Sequence, residues 1–125
     1  MLLDTFFTID KITAQDEKTL FEVLINKDHA VFEGHFPGNP VVPGVFLIQM
    51  VREVIEHWQQ KKFKIEAADE IKFMNMVIPQ QSSLLTLEIQ KRVKSEKPFA
   101  YSIVVSHGST VFIKMKLDLE IDGKE

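Results

Sequence analysis

The sequence predicts one α+β domain over residues 1–125, an antiparallel sheet wrapped around a single long helix. Three observations carry this. Residues 44–61 hold one strong apolar stripe at helical spacing, and other segments alternate apolar and polar residues with the period of a strand. The 125 residues, 45% hydrophobic and 26% charged, suit one core and are too few for two.

The first residues, MLLDTFFTID, contain no basic run and reach Asp4 before an apolar stretch can form. No apolar run approaches the roughly 18 residues of a membrane span. A cytoplasmic protein with no membrane association is expected. Residues 19–26 (TLFEVLIN) set Phe21, Val23 and Ile25 against Leu20, Glu22 and Leu24, which predicts a strand. Residues 34–44, GHFPGNPVVPG, collect three of the five glycines and three of the five prolines, so they form a shaped loop.

The helix follows at once. Leu47, Val51, Val54, Ile55 and Trp58 share one face, and Gln49, Arg52, Glu53, Glu56 and Gln60 gather opposite. Val45, Phe46, Leu47 and Ile48 make its first turn apolar on every side, so that turn is expected to be buried all round. Residues 64–78 read as an extended segment ended by Pro79. Residues 84–91, 98–106 and 111–121 then alternate as half-buried strands, with a turn at His107-Gly108 between the last two. The expected order is strand, loop, long helix and a meander of about four strands. So small a chain covers an open sheet and an apolar helix start poorly, which predicts a homodimer.

Charge and composition narrow the chemistry. Fifteen Lys and Arg against eighteen Asp and Glu give a net charge of -3, which does not recruit nucleic acid. The absence of cysteine removes disulfides, thiolate nucleophiles and zinc-thiolate sites. His29, His57 and His107 lack partners at metal-ligand spacing, and no metal site is expected. The runs Lys61-Lys62-Phe63-Lys64 and Lys91-Arg92-Val93-Lys94 suit solvated surface, with steering of an acidic partner as the alternative. Phe36, Phe46, Met50, Phe73 and Met76 are candidates either for the core or for an acyl tunnel.

One constellation stands out. His35 lies inside the Gly/Pro loop and Gly44 opens the helix nine residues later. A histidine in a stiff loop can accept a proton as neutral imidazole. Amides at a helix start, with the dipole behind them, can receive negative charge developing on an oxygen. That pairing suits proton abstraction beside a thioester carbonyl.

Residues 33–49, EGHFPGNPVVPGVFLIQ, closely resemble the active-site segment of the β-hydroxyacyl-acyl-carrier-protein dehydratases, the FabZ/FabA-like hotdog proteins. The likeness runs more weakly through the helix and into residues 67–79. It implies a hotdog fold and a dimer, or a higher oligomer of dimers, with sites at the subunit interface. It also implies dehydration of 3-hydroxyacyl thioesters held on the phosphopantetheine of an acyl carrier protein, in fatty acid or polyketide/polyene-type synthesis, with no cofactor of the enzyme's own. By position, His35 matches the catalytic histidine, and Gly44 the glycine whose N–H holds the thioester carbonyl. Val41 falls where a backbone carbonyl fixes the histidine ring, and Phe36 and Pro43 fall within the substrate-binding segment. The family's acid, five positions after that glycine and contributed across the dimer, is here Gln49. An amide keeps the hydrogen bonding but cannot give up a proton. A slower dehydratase is therefore expected, with a non-catalytic acyl-thioester subunit of a heterodimer or a hotdog thioesterase as alternatives. Glu53, one turn further on, is a poorly placed substitute for the acid.

Overall fold

A computed structural model describes residues 1–34 and 40–123. The elements in chain order are β1 (Phe7–Gln15), β2 (Lys18–Ile25), α1 (Val31–Gly34), α2 (Gly44–Gln59), β3 (Phe63–Phe73), β4 (Leu84–Lys91), β5 (Ala100–His107) and β6 (Thr110–Ile121). The six strands form one antiparallel sheet in the order β1-β2-β4-β5-β6-β3. No helix among the described residues is long and apolar enough to cross a membrane.

The alternating segments bury most of the faces expected of them, except in β6, where Ile121 is exposed while Phe112 and Asp118 are buried. Phe21, Val23 and Ile25 of β2, Leu85, Leu87 and Ile89 of β4, Tyr101, Ile103 and Val105 of β5, and Ile113, Met115, Leu117 and Leu119 of β6 form one cluster with α2. From the helix come Leu47, Met50, Val51, Val54 and Ile55, while the Trp58 ring meets Phe21 edge-on with centroids 5.4 Å apart. Gly108, at φ +58°, makes the tight β5–β6 turn.

The topology departs from a four-strand meander. Only β4, β5 and β6 are sequential neighbours on that side; β4 pairs with β2, and β3 pairs with β6 at the far edge. The long helix carries the chain across the sheet, so β3 lands at the opposite edge and the last three strands fill the gap. β3 also ends at Phe73 rather than at residue 78. The next residues leave the ladder because the N–H groups of Met74 and Asn75 both turn to the Phe112 carbonyl, at 2.8 and 3.4 Å. The Asn75 amide nitrogen also donates to the Val111 carbonyl at 2.7 Å.

β1 is an element that the alternation did not reveal. It buries Phe7 and is mostly exposed beyond it, as an edge strand allows, and it joins β2 through a turn at Asp16, φ +47°. The helix differs from expectation in two ways. Its polar face is only partly solvated: Gln60 is exposed, but Glu53 and Glu56 are 2% and 8% exposed. The N-terminal residues cover the first and the start of β3 covers the second. Glu56 accepts from the Phe63 N–H at 2.8 Å and from Arg52 at 2.9 Å, and Arg52 donates also to the Phe63 carbonyl at 2.9 Å. The first turn is not buried all round either: Val45 is 71% exposed, on the side that borders an open groove.

Candidate functional site

The groove lies where the Pro-rich segment becomes α2. Residues 41–45 form one wall and residues 73–77 the other, with Leu47 behind, and together they enclose about 630 Å³. Two local features hold the walls together. Prolines 40 and 43 keep the approach extended, and the Val42 N–H donates to the Val77 carbonyl at 2.9 Å while both side chains are buried. The opening is apolar, because Val45, Phe73, Met74 and Met76 all stand exposed around it. Isolated apolar side chains on a surface are ordinary, but four around one groove mark a place for an apolar ligand or a second protein surface.

The helix start faces this groove. The first intrahelical bonds run from the Phe46 and Leu47 N–H groups to the Pro43 carbonyl, at 2.9 and 3.3 Å. The amides of Gly44 and Val45 precede them, and no side chain among the described residues caps this end. Those amides are therefore the donors a helix start offers to an incoming oxygen. Gly44 is tightly covered: a Cβ placed there would sit 2.8 and 2.9 Å from two atoms of the Phe73 ring. Its φ is not in the left-handed region, so the ring, not the backbone, would crowd a side chain here.

Of the residues expected at the site, Val41, Pro43 and Gly44 come together on one wall. His35 and Phe36 lie outside the described residues. Gln49 is half-buried on α2 and does not line the groove of its own chain. The tunnel candidates divide, with Phe73 and Met76 lining the groove, Met50 fully buried, and Phe46 packing edge-on against Phe6 at 5.0 Å.

Two residues acquire roles that the sequence did not assign. His29 supports the approach to the loop: its Nδ1 accepts the Val31 N–H at 3.0 Å, at the start of α1, and its ring meets Phe6 edge-on. Glu53 is the more consequential. Its Oε1 accepts the Leu2 and Leu3 N–H groups at 2.9 and 2.8 Å, and its Oε2 accepts from Leu2 at 2.9 Å and from the Gln49 amide nitrogen at 2.7 Å. Burial pushes the Glu53 pKa up, but the Leu2 and Leu3 amides and the Gln49 side chain outweigh it and hold the group below the ordinary value. A carboxylate so engaged is favoured in its ionised, accepting form, which speaks against Glu53 as a substitute for the acid. The four-residue spacing from Gln49 was the available signal.

The basic runs are partly consumed by the fold. Lys64 pairs with Glu120 at 3.0 Å and Arg92 with the buried Asp118 at 2.7 Å. A smaller cleft of about 330 Å³ near the other end of α2 is lined by Met1, Glu53, Glu56, His57 and Lys61 among others, and lacks the apolar rim. Among the described residues no three His, Asp or Glu side chains converge to hold a metal ion.

Comparison with known proteins adds the following. The family described as ApeI-like, ApeI dehydratase, matches residues 11–115. The 3-hydroxyacyl-[acyl-carrier-protein] dehydratase FabZ of Fusobacterium nucleatum is 28% identical over 123 residues, covering 90% of this chain and 85% of that protein. FabZ of Syntrophomonas wolfei is 38% identical over 64 residues, covering 46% of this chain and 44% of that protein. FabZ of Syntrophobacter fumaroxidans is 30% identical over 98 residues, 70% and 65% respectively. The chain thus spans less than two thirds of the length of these last two relatives. Among solved structures, the dehydratase heterocomplex ApeI:P from Xenorhabdus doucetiae superposes with a TM-score of 0.70 at 19% identity, over 87% of this chain and 93% of that one. An uncharacterized protein from Erwinia carotovora gives a TM-score of 0.63 at 22% identity, over 92% and 94%. Those two likenesses speak to the fold.

Proposed function

Because this chain belongs to the ApeI-like dehydratase family and has its hotdog fold, we propose that it dehydrates 3-hydroxyacyl thioesters presented by an acyl carrier protein, giving trans-2-enoyl thioesters. The observation that carries the proposal is the apolar groove opening on the amides of Gly44 and Val45. An acyl chain lies against Phe73, Met74 and Met76, which places the thioester carbonyl at the helix start. There the amide of Gly44 and the helix dipole stabilise the enolate-like oxygen as charge leaves Cα.

His35, assigned by its motif, takes the Cα proton; the Cα–H electron pair becomes the new double bond as the Cβ–O bond breaks. The same imidazole returns the proton to the departing oxygen, and water leaves. Gln49 holds the β-hydroxyl but adds no acid. Since Gln49 lies off the groove of its own chain, it acts on the groove of a second copy, and β3, the edge strand next to that groove, is the surface on which the copies meet.

A second reading has its own support. With Gln49 an amide and Glu53 ionised, this stretch of α2 provides no acid, as suits an acyl-thioester-binding subunit that works beside a catalytic partner. Incubation of the purified chain with a 3-hydroxyacyl thioester separates the two. Enoyl product that His35→Ala abolishes supports the first, and product formed only after a homologous chain is added supports the second. Release of free thiol without enoyl product would point to a thioesterase and refute both.

A further inference from the structure

The contact between Gln49 and Glu53 constrains more than the fold. Glu53 is 2% exposed and sits one turn beyond Gln49 on α2. Backbone N–H groups can only donate, so Leu2 and Leu3, which reach both its oxygens, require Glu53 to be an acceptor. An amide side chain meeting such a group can present only its nitrogen. Turned over, Gln49 would set its own oxygen against a carboxylate oxygen at the observed separation of 2.7 Å. The Gln49 carbonyl is therefore directed away from Glu53, and its orientation is locked.

Building on the dehydratase reading above, we infer that Glu53 is a positioning residue, which, anchored by the Leu2 and Leu3 amides, holds the Gln49 carbonyl outward as the hydrogen-bond acceptor for the substrate's β-hydroxyl. The hydroxyl hydrogen then points at Gln49 and the oxygen lone pairs turn toward the proton coming back from Cα. No proton is gained or lost in this arrangement. The atoms of the α hydrogen and the β-hydroxyl leave together as water, and the double bond forms between Cα and Cβ. An outward-facing amide nitrogen would instead donate to the hydroxyl oxygen and compete with that returning proton. Several charged groups surround the carboxylate. The Met1 amino group lies near it, and Glu56, His57, Lys61 and Lys62 line the same cleft.

Two measurements test this on the full chain. Glu53→Gln lowers kcat for a 3-hydroxyacyl thioester roughly tenfold or more, the weight of a charge-assisted hydrogen bond, and leaves KM within about twofold. An unchanged kcat overturns the inference. Because this substitution can also loosen the N-terminal residues, the second measurement is independent of turnover. It follows the carboxyl introduced by Gln49→Glu by NMR titration, with and without Glu53→Gln. With Glu53 present the two carboxyls compete for one site and the new one titrates above the ordinary glutamate range; in the double variant it returns to that range. Ordinary titration in both backgrounds overturns the inference even in an active enzyme. Coupled titration in a chain that shows no turnover overturns the dehydratase reading and the hydroxyl-holding role with it, while the Gln49–Glu53 contact stands.

Discussion

Replacing Gly44 with alanine isolates the groove from the rest of the fold. The new methyl carbon would sit 2.8 Å from the Phe73 ring, whereas carbon atoms pack at about 3.5–4.0 Å, so the ring must give way by about 0.7–1.2 Å. Phe73 is 56% exposed and free to turn. Pushing an aromatic side chain off its rotamer costs about 0.5–1.5 kcal/mol. Alanine at a backbone conformation it can adopt gains about 0.4–1 kcal/mol through the unfolded chain. The two nearly cancel, and Gly44→Ala changes stability by less than about 1 kcal/mol. Activity responds differently, because the displaced ring swings across the opening that the acyl chain needs. A coupling of about 1–2 kcal/mol between the two positions corresponds to roughly a 5- to 30-fold fall in kcat/KM for Gly44→Ala in the wild-type background, and to little further loss when Gly44→Ala is added to Phe73→Ala, which already lacks the ring's contact with the acyl chain. Thermal unfolding and steady-state turnover of the two single variants and the double variant measure both quantities. Wild-type turnover by Gly44→Ala, or an equally large Gly44→Ala loss in the Phe73→Ala background, would refute the placement of substrate in this groove.

Other consequences concern stability. Burial raises the Glu53 pKa, but the Leu2 and Leu3 amides with Gln49 hold it below the ordinary value of 4.5 in the folded chain. Its contribution is thus present above pH 4.5 and is lost as pH falls through the lower folded value. Urea unfolding followed from pH 7 downward should lose less stability in Glu53→Gln than in wild type, and parallel profiles would argue against the carboxylate's role. Gly108 has φ +58° and nothing within 4 Å of an added Cβ, so Gly108→Ala costs only backbone strain, about 1 kcal/mol in a urea titration. A shift of several times that size would mean the turn packs more tightly than it does. Leu87, with no exposed surface at the centre of the sheet, loses about 2–5 kcal/mol on truncation to alanine, and a loss under 1 kcal/mol would place it outside the core.

Local periodicity made most of the fold legible. The stripe from Leu47 to Trp58, the alternation in residues 19–26, 84–91 and 111–121, and the turn at Gly108 each follow from geometry that a few neighbouring residues determine. β1 escaped because an edge strand that buries little beyond Phe7 carries almost no alternation. The position of β3 beside β6 escaped because strand order is a long-range property of where the helix carries the chain. Glu53 and Glu56 read as solvated from the helical wheel, which contains no information about the chain folding over it, the N-terminal residues onto Glu53 and the start of β3 onto Glu56. At the site, Gly44, Pro43 and Val41 line one groove, while residue type alone could not distinguish Met76 at the groove from Met50 in the core. His35, the residue on which the proposed chemistry turns, lies outside the described residues and rests on its motif.

Backbone and methionine-methyl NMR of the labelled chain, titrated with a non-reactive 3-hydroxyacyl thioester analogue, tests most directly where the substrate sits. Binding at the helix start moves the Gly44 and Val45 amides together with the Met74 and Met76 methyls, and Gly44→Ala weakens all four responses in step. Shifts confined to the cleft of Lys61 and Lys62, or no shift at concentrations that support turnover, would contradict the assignment of this groove as the acyl-thioester site.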